Sequence, residues 1–188
     1  MKKNNFQIIS IGVILLSLAL VAMGMKAEVR KEYNNRIIHS FKLQTFGGQS
    51  FSSQQLKSNV WVADFIYLGC VEDCATLSGV IHQLQLKFHQ YPNLKFVSFV
   101  IDGNNALMKS YAKRYHANLK TWYFLTGPIQ KIDMLARKSF RITKKPLGNF
   151  FMSPDLILIN AHDQVIGVFN GTSTQEVKSL IQHIQHLL

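Results

Sequence analysis

Two cysteines four residues apart are the residues best suited to chemistry in this sequence. Cys70 and Cys74 are the only cysteines among 188 residues, and they follow a strand-like apolar run at the start of a predicted helix. Positions four apart in a helix share a face, and their spacing suits a disulfide, which needs Cα atoms about 4.4–6.8 Å apart. The same geometry lets two thiolates bind one metal ion. The pair therefore indicates thiol–disulfide exchange or binding of a soft metal.

The start of a helix favours the thiolate form of a cysteine, because free N–H groups and the helix dipole stabilise negative charge. Glu72 and Asp73, between the cysteines, oppose part of that effect and favour a bound cation. Peroxide reduction fits poorly, because Tyr67 stands three residues before Cys70, where peroxiredoxins have threonine. The alternative is two buried cysteines packed as small hydrophobic residues. Their pairing at a strand–helix junction argues against it.

Alternating strand and helix patterns predict an α/β domain around the pair. Residues 59–68 are almost continuously apolar, which is typical of a central strand buried on both faces. After the cysteines, apolar residues three and four apart predict an amphipathic helix. The chain ends in a predicted β-hairpin at 154–171 and a helix that Ser173 or Thr174 caps. The cysteines lie at the carboxyl end of a central strand, where ligands of open α/β sheets gather.

The N-terminus predicts a single-pass membrane anchor. Lys2 and Lys3 precede an uncharged apolar run, Phe6 to Met25, close to the roughly 20 residues that cross a bilayer as a helix. The lysines would keep the N-terminal end in the cytoplasm, which places the soluble domain on the exported side of the inner (cytoplasmic) membrane. A cleaved signal peptide is the alternative. The chain thus divides into an anchor, a linker and a soluble domain, at residues 1–26, 27–40 and 41–188.

The formal charge of +11 arises from 21 Lys and Arg against 10 Asp and Glu. No zinc-finger spacing, RNA-binding aromatic motif or basic helix accompanies this charge, so nucleic-acid binding is not predicted. The densest basic stretch runs from Ala136 to Pro146. It indicates a solvated surface or a docking face for an acidic partner.

The residues around the cysteines resemble the SCO/SenC family. "YLGCVEDCATL", from Tyr67 to Leu77, is similar to the family's copper-loading motif with its CxxxC spacing. "TWYFLTGPIQKIDMLARKSFRI", from Thr121 to Ile142, resembles the family's W-x-F-L-T-G segment and the helix after it. Between them, "FVSFVIDGNNALMKSYAKRYH" resembles a family strand and helix joined by a shortened loop. The resemblance extends over residues 41–187.

This resemblance implies a thioredoxin-like fold, with a central mixed β-sheet flanked by helices. It also implies copper delivery to a membrane oxidase subunit, or reduction of that subunit's thiols, during assembly of the cytochrome oxidase copper site. Cys70 and Cys74 carry over as copper ligands and as a redox pair. The family's ligand histidine does not, because Met152 occupies its position. Two thiolates and a thioether suit Cu(I) better than Cu(II), so the predicted cofactor is Cu(I) or none.

Two other functions remain open at this point. One is a metal-free thiol–disulfide oxidoreductase of the exported compartment, which loss of the histidine favours. The other is a noncatalytic assembly adaptor with a basic docking face. Asp102, after the second central strand, is a candidate for a supporting role beside the metal. The remaining histidines considered are predicted to have surface or packing roles: His82, His89, His162, His183 and His186.

Overall fold

The structure is a computed structural model that describes residues 36–68, 73–101, 103–142, 146–147, 150–151 and 153–188. The predicted anchor lies outside these residues, as do Cys70, Asp102 and Met152. Within the described ranges, no helix combines the length and apolar character needed to cross a bilayer.

The described residues form nine strands, four α-helices and one short 3₁₀ helix. The strands are β1 Lys42–Thr45, β2 Ser50–Ser52, β3 Val60–Tyr67, β4 Leu94–Ile101, β5 Trp122–Thr126, β6 Pro146–Leu147, β7 Phe150–Phe151, β8 Asp155–Ile159 and β9 Val165–Asn170. The helices are α1 Asp73–Lys87, α2 Asn105–Arg114, α3 Ile129–Lys138 and α4 Thr174–Leu187, with the 3₁₀ helix at Ser53–Leu56.

Seven strands form one mixed sheet in the order β2-β1-β5-β4-β3-β8-β9, and β6 pairs with β7 separately. Strands β3, β4 and β5 are parallel, whereas β1 and β8 join them antiparallel. Residues of α1, α2 and α4 pack on one face of the sheet, and residues of α3 pack on the other. The predicted α/β architecture with a mixed sheet flanked by helices is confirmed.

Strand β3 is the central strand that the apolar run predicts. All but its last residue are buried, and its side chains alternate between the two faces. Val62 and Ile66 contribute to the core beneath α1, α2 and α4, while Trp61 and Phe65 contribute to the opposite core. Burial on both faces explains why the sequence shows no polar alternation here.

Local sequence signals also explain the turn between β1 and β2 and the start of α4. Gly48 adopts a φ of 76° in the turn between β1 and β2, a backbone conformation that favours glycine. The Ser173 side chain accepts a hydrogen bond from Glu176 N at 3.4 Å, so Ser173 caps α4. The Glu176 carboxylate instead accepts from Asn170 N at 2.8 Å, which ties the helix start to β9.

The chain before β1 is bonded to the turn between β8 and β9. Ile38 N donates to Asp163 O at 2.8 Å, and Val165 N donates to Arg36 O at 2.7 Å. The Ile38 side chain is buried against the α3 side of the sheet. Residues 36–38 are therefore held against the hairpin formed by β8 and β9.

Candidate functional site

Cys74 lies in the first turn of α1, which follows the carboxyl end of β3. Its side chain is 1 % exposed and packs in the core formed with α2 and α4. Cys74 is disulfide-bonded. The only other cysteine of the chain, Cys70, lies outside the described residues. A disulfide at the carboxyl end of a parallel strand can take part in redox chemistry, although the side chain of Cys74 itself is closed to solvent.

Two hydroxyl groups hold this first turn of α1 against α2. Tyr111 Oη donates to the Cys74 carbonyl oxygen at 3.0 Å. The same hydroxyl is 2.7 Å from Ser78 Oγ, one turn further along α1. All three residues are buried. Burial raises the pKa of Tyr111 well above its ordinary value, and the nearby Asp64 charge acts in the same direction. Tyr111 therefore remains protonated and can donate.

Replacing Tyr111 with phenylalanine is expected to lower the free energy of unfolding by about 1–3 kcal/mol. The change leaves the Ser78 hydroxyl and the Cys74 carbonyl oxygen buried without this partner. Urea unfolding of the Tyr111→Phe protein measures the loss. Tyr123→Phe is the matched control, because the Tyr123 hydroxyl also donates to a carbonyl, Lys120 O, but at an exposed site. Equal losses in both variants would contradict this assignment.

Asp64 is a buried carboxylate on the same face of β3 as Val62 and Ile66. It is 0 % exposed, and within the described chain neither carboxylate oxygen has a hydrogen-bond partner. Ser98 is its register neighbour on β4, and the Ser98 hydroxyl accepts from Trp122 Nε1 at 2.9 Å. Asp64 therefore lies in the core layer that contains Cys74, without the pairing that buried carboxylates usually have.

Burial raises the pKa of Asp64 from 3.8 to about 7. Desolvation of the charged form is the largest cause, and the nearby Ser98 hydroxyl offsets only part of it. Near neutral pH this carboxyl exchanges a proton inside the core. Such groups cluster at functional sites, and Asp64 lies on the strand that leads into the cysteines.

Cys74 is the one predicted site residue that the structure places. Cys70 and Met152 lie outside the described residues, so their joint role in a redox pair or a copper site remains a prediction. The described residues contain no group of three or more histidine, cysteine or acidic side chains arranged to hold a metal ion. Asp64 was not predicted as a site residue, and the aspartate inside the apolar strand is its one trace in the sequence.

Comparison with known proteins identifies the group to which this domain belongs. A model of the SCO1/SenC family matches residues 29–188. The chain belongs to the SCO1/SenC family. The SCO1 protein homolog of Bacillus subtilis (strain 168) is 29 % identical over 179 residues, which cover 91 % of this chain and 92 % of that protein.

Solved structures show that this SCO1/SenC protein has the thioredoxin-like fold expected from the resemblance. BsSco, described as a cytochrome c oxidase assembly protein with a disulfide switch, is 28 % identical with a TM-score of 0.71. The match covers 81 % of this chain and 94 % of BsSco. Copper-bound ScoI of Bradyrhizobium japonicum shares the fold, with a TM-score of 0.65 and 18 % identity. The match covers 81 % of this chain and 99 % of that chain.

Proposed function

We propose that this SCO1/SenC protein binds copper through Cys70 and Cys74 and delivers it during assembly of a cytochrome c oxidase copper site. The observation that carries the proposal is the position of Cys74 at the start of the helix after the central strand, in a disulfide whose reduction would free its thiolate. Family membership supports it, as does BsSco, a relative described as an oxidase assembly protein with a disulfide switch.

Copper is the cargo of this site, and the donor chemistry selects Cu(I). Reduced Cys70 and Cys74 provide two thiolates, and Met152 is proposed to complete the site with a thioether. Soft sulfur donors favour Cu(I), whereas imidazole accommodates Cu(II). With methionine in the position of the family's histidine, the cargo form is Cu(I).

The cysteine pair also has a redox reaction that needs no metal. In the dithiol form, one thiolate attacks a partner disulfide and forms a mixed disulfide. The second thiolate then attacks that bond and releases the partner as a dithiol. Two electrons pass to the partner, while the pair becomes the Cys70–Cys74 disulfide. The same reaction prepares a partner's cysteines to receive copper.

We further propose that the protein is tethered to the cytoplasmic membrane by residues 1–26, with residues 27–40 as linker and residues 41–188 as the exported domain. The apolar run preceded by two lysines supports this arrangement. A tether would hold the cysteine site near a membrane-embedded oxidase subunit, and an exported compartment permits the disulfide.

Titration of the reduced protein with Cu(I), against a competing chelator, tests copper binding. One tight equivalent is expected in the wild type, with weaker binding in Met152→Ala. Met134→Ala is the matched control, because Met134 is an exposed methionine on α3. Binding no tighter than that of a Cys70→Ser, Cys74→Ser protein would reject the copper role.

A metal-free thiol–disulfide oxidoreductase is the second candidate, and the methionine at position 152, in place of the family's histidine, favours it. Such a protein would bind no tight Cu(I) yet would still reduce a disulfide substrate through its dithiol. A noncatalytic adaptor would need neither reaction. In that case the double serine variant would restore oxidase assembly in a deletion strain as well as the wild type does.

A further inference from the structure

A row of polar side chains joins α1 to α2 and to the loop that follows α2. Ser78, His82 and Gln85 are four and three residues apart on α1, so they share one face of the helix. Opposite them stand Tyr111, His116 and Asn118, respectively. We call this set the polar seam. Its Tyr111 end bonds the Cys74 carbonyl oxygen, and the proposed function does not use its middle pair.

The two outer pairs of the polar seam are directly hydrogen-bonded. Ser78 Oγ and Tyr111 Oη are 2.7 Å apart. Gln85 Nε2 donates to Asn118 O at 3.2 Å, and Gln85 Oε1 accepts from Asn118 N at 3.2 Å. These bonds hold α1 in a fixed position against the 115–121 loop. The middle pair is therefore held at a defined separation by its neighbours.

The middle pair of the seam has no such bond. His82 Nδ1 is buried and has no hydrogen-bond partner among the residues described. The His82 and His116 ring centroids are 5.8 Å apart, with the ring planes inclined by 46°. A buried ring nitrogen without a partner carries a desolvation cost. Two facing imidazoles whose spacing is fixed offer one way to satisfy such a group.

The separation of these two rings fits one shared metal ion. An imidazole nitrogen binds such an ion at about 2.0–2.1 Å, and that nitrogen lies about 1.1 Å from the ring centre. Two imidazoles on one ion therefore have centroids about 5 Å apart at a tetrahedral angle and about 6.4 Å apart when opposed. The observed 5.8 Å lies between these limits.

The position of His116 just after α2 favours the charge of a bound cation. His116 has a φ of 48°, a left-handed conformation, and its backbone N–H donates to Lys113 O at 3.1 Å. It thus lies at the C-terminal end of α2, where carbonyl groups favour a positive charge. Lys113 and Arg114, in the last turn of α2, oppose a cation, but both are exposed and screened by solvent.

We propose that His82 and His116 form a binding site for one divalent transition-metal ion, separate from the cysteine site. Neutral imidazole suits Zn²⁺, Ni²⁺ and Cu²⁺, and Cu²⁺ binds most tightly in this series. Water molecules would complete the coordination on the side of His116, which is exposed. The bound ion would link α1 to the end of α2, one turn from the Ser78–Tyr111 pair that holds the Cys74 turn.

The test uses the oxidised, untagged full-length chain, because its disulfide withholds the cysteines from the metal. Cu²⁺ is titrated against glycine as a weak competitor, followed by electron paramagnetic resonance of the bound ion. One equivalent with two nitrogen ligands is expected. His116→Asn should lower the affinity at least about tenfold. Asparagine tolerates the left-handed backbone, so this variant is expected to fold.

Three further variants separate the polar seam from other histidines. His82→Gln should also lose the equivalent, whereas His89→Gln, at an exposed position just past the end of the same helix, should keep it. His186→Gln should keep it too, which excludes a site near the C-terminus. Absence of the equivalent in the wild type, or its retention in His116→Asn, would overturn the proposal. Neither result bears on Cu(I) binding by the reduced cysteines, so this proposal and the proposed function fail independently.

Discussion

The free energy of unfolding is expected to fall by about 4 kcal/mol as the pH rises from about 3 to about 8, because Asp64 must ionise inside the core. Its pKa is raised from 3.8 to about 7 by burial. Each unit of difference in pKa corresponds to about 1.4 kcal/mol between the two protonation states. The side chain is 0 % exposed, so solvent screening does not reduce this figure appreciably.

The direction of the effect follows from which state binds the proton more tightly. Below the unfolded pKa of 3.8, Asp64 is protonated in both states and carries no penalty. Between 3.8 and about 7, the unfolded chain releases the proton while the folded protein keeps it, so stability falls with rising pH. Above about 7 both states are ionised, and the full penalty of the buried charge persists.

Urea unfolding at several pH values, followed by the fluorescence of the two buried tryptophans, measures this profile. Asp64→Asn should remove most of the decrease, because an amide does not ionise in this range. The asparagine amide still needs hydrogen-bond partners, so this variant can lose stability at every pH. The change in the free energy of unfolding with pH is therefore diagnostic, whereas its absolute value is not. Asp133→Asn is the control, since Asp133 is exposed and paired with Arg137. A decrease that persists unchanged in Asp64→Asn would show that this carboxyl is not its source.

The sequence predicted the elements that carry strong local signals. A nearly continuous apolar run identified β3, and apolar residues three and four apart identified α1. Each signal reflects a physical requirement within one segment, such as burial on both faces of a sheet or along one face of a helix. The cysteine motif likewise identified the family, which the family match confirms.

The contacts that the sequence did not predict are those between distant segments. Tyr111 and Cys74 are 37 residues apart, and His82 and His116 are 34 apart, so neither pairing leaves a periodic signal. Each depends on how α2 packs beside α1. Asp64 was overlooked for another reason. One carboxylate in a strongly apolar strand does not alter the pattern, and its unpartnered state becomes visible only once the surrounding core is known.

Replacing Met152 with histidine is expected to raise the affinity of the reduced protein for Cu(II) by at least about 100-fold, or about 2.7 kcal/mol. Under the proposed function, Met152 contributes the thioether that matches Cu(I). An imidazole in its place supplies the donor that accommodates the higher charge of Cu(II), while the two thiolates remain. Cu(II) titration of Met152→His, followed by the thiolate-to-copper absorption band, measures the change.

Met134→His is the matched control for this substitution. Met134 is 51 % exposed on α3, so a histidine there adds an imidazole without the cysteines. The gain in Met152→His should disappear when the protein is oxidised, because a disulfide provides no thiolate ligand. This requirement for reduced cysteines also distinguishes the gain in Cu(II) affinity from Cu²⁺ binding by His82 and His116, because that site needs no thiol. If Met152→His binds Cu(II) no better than Met134→His does, residue 152 does not complete the cysteine site, and the resemblance-based placement of the third ligand is wrong.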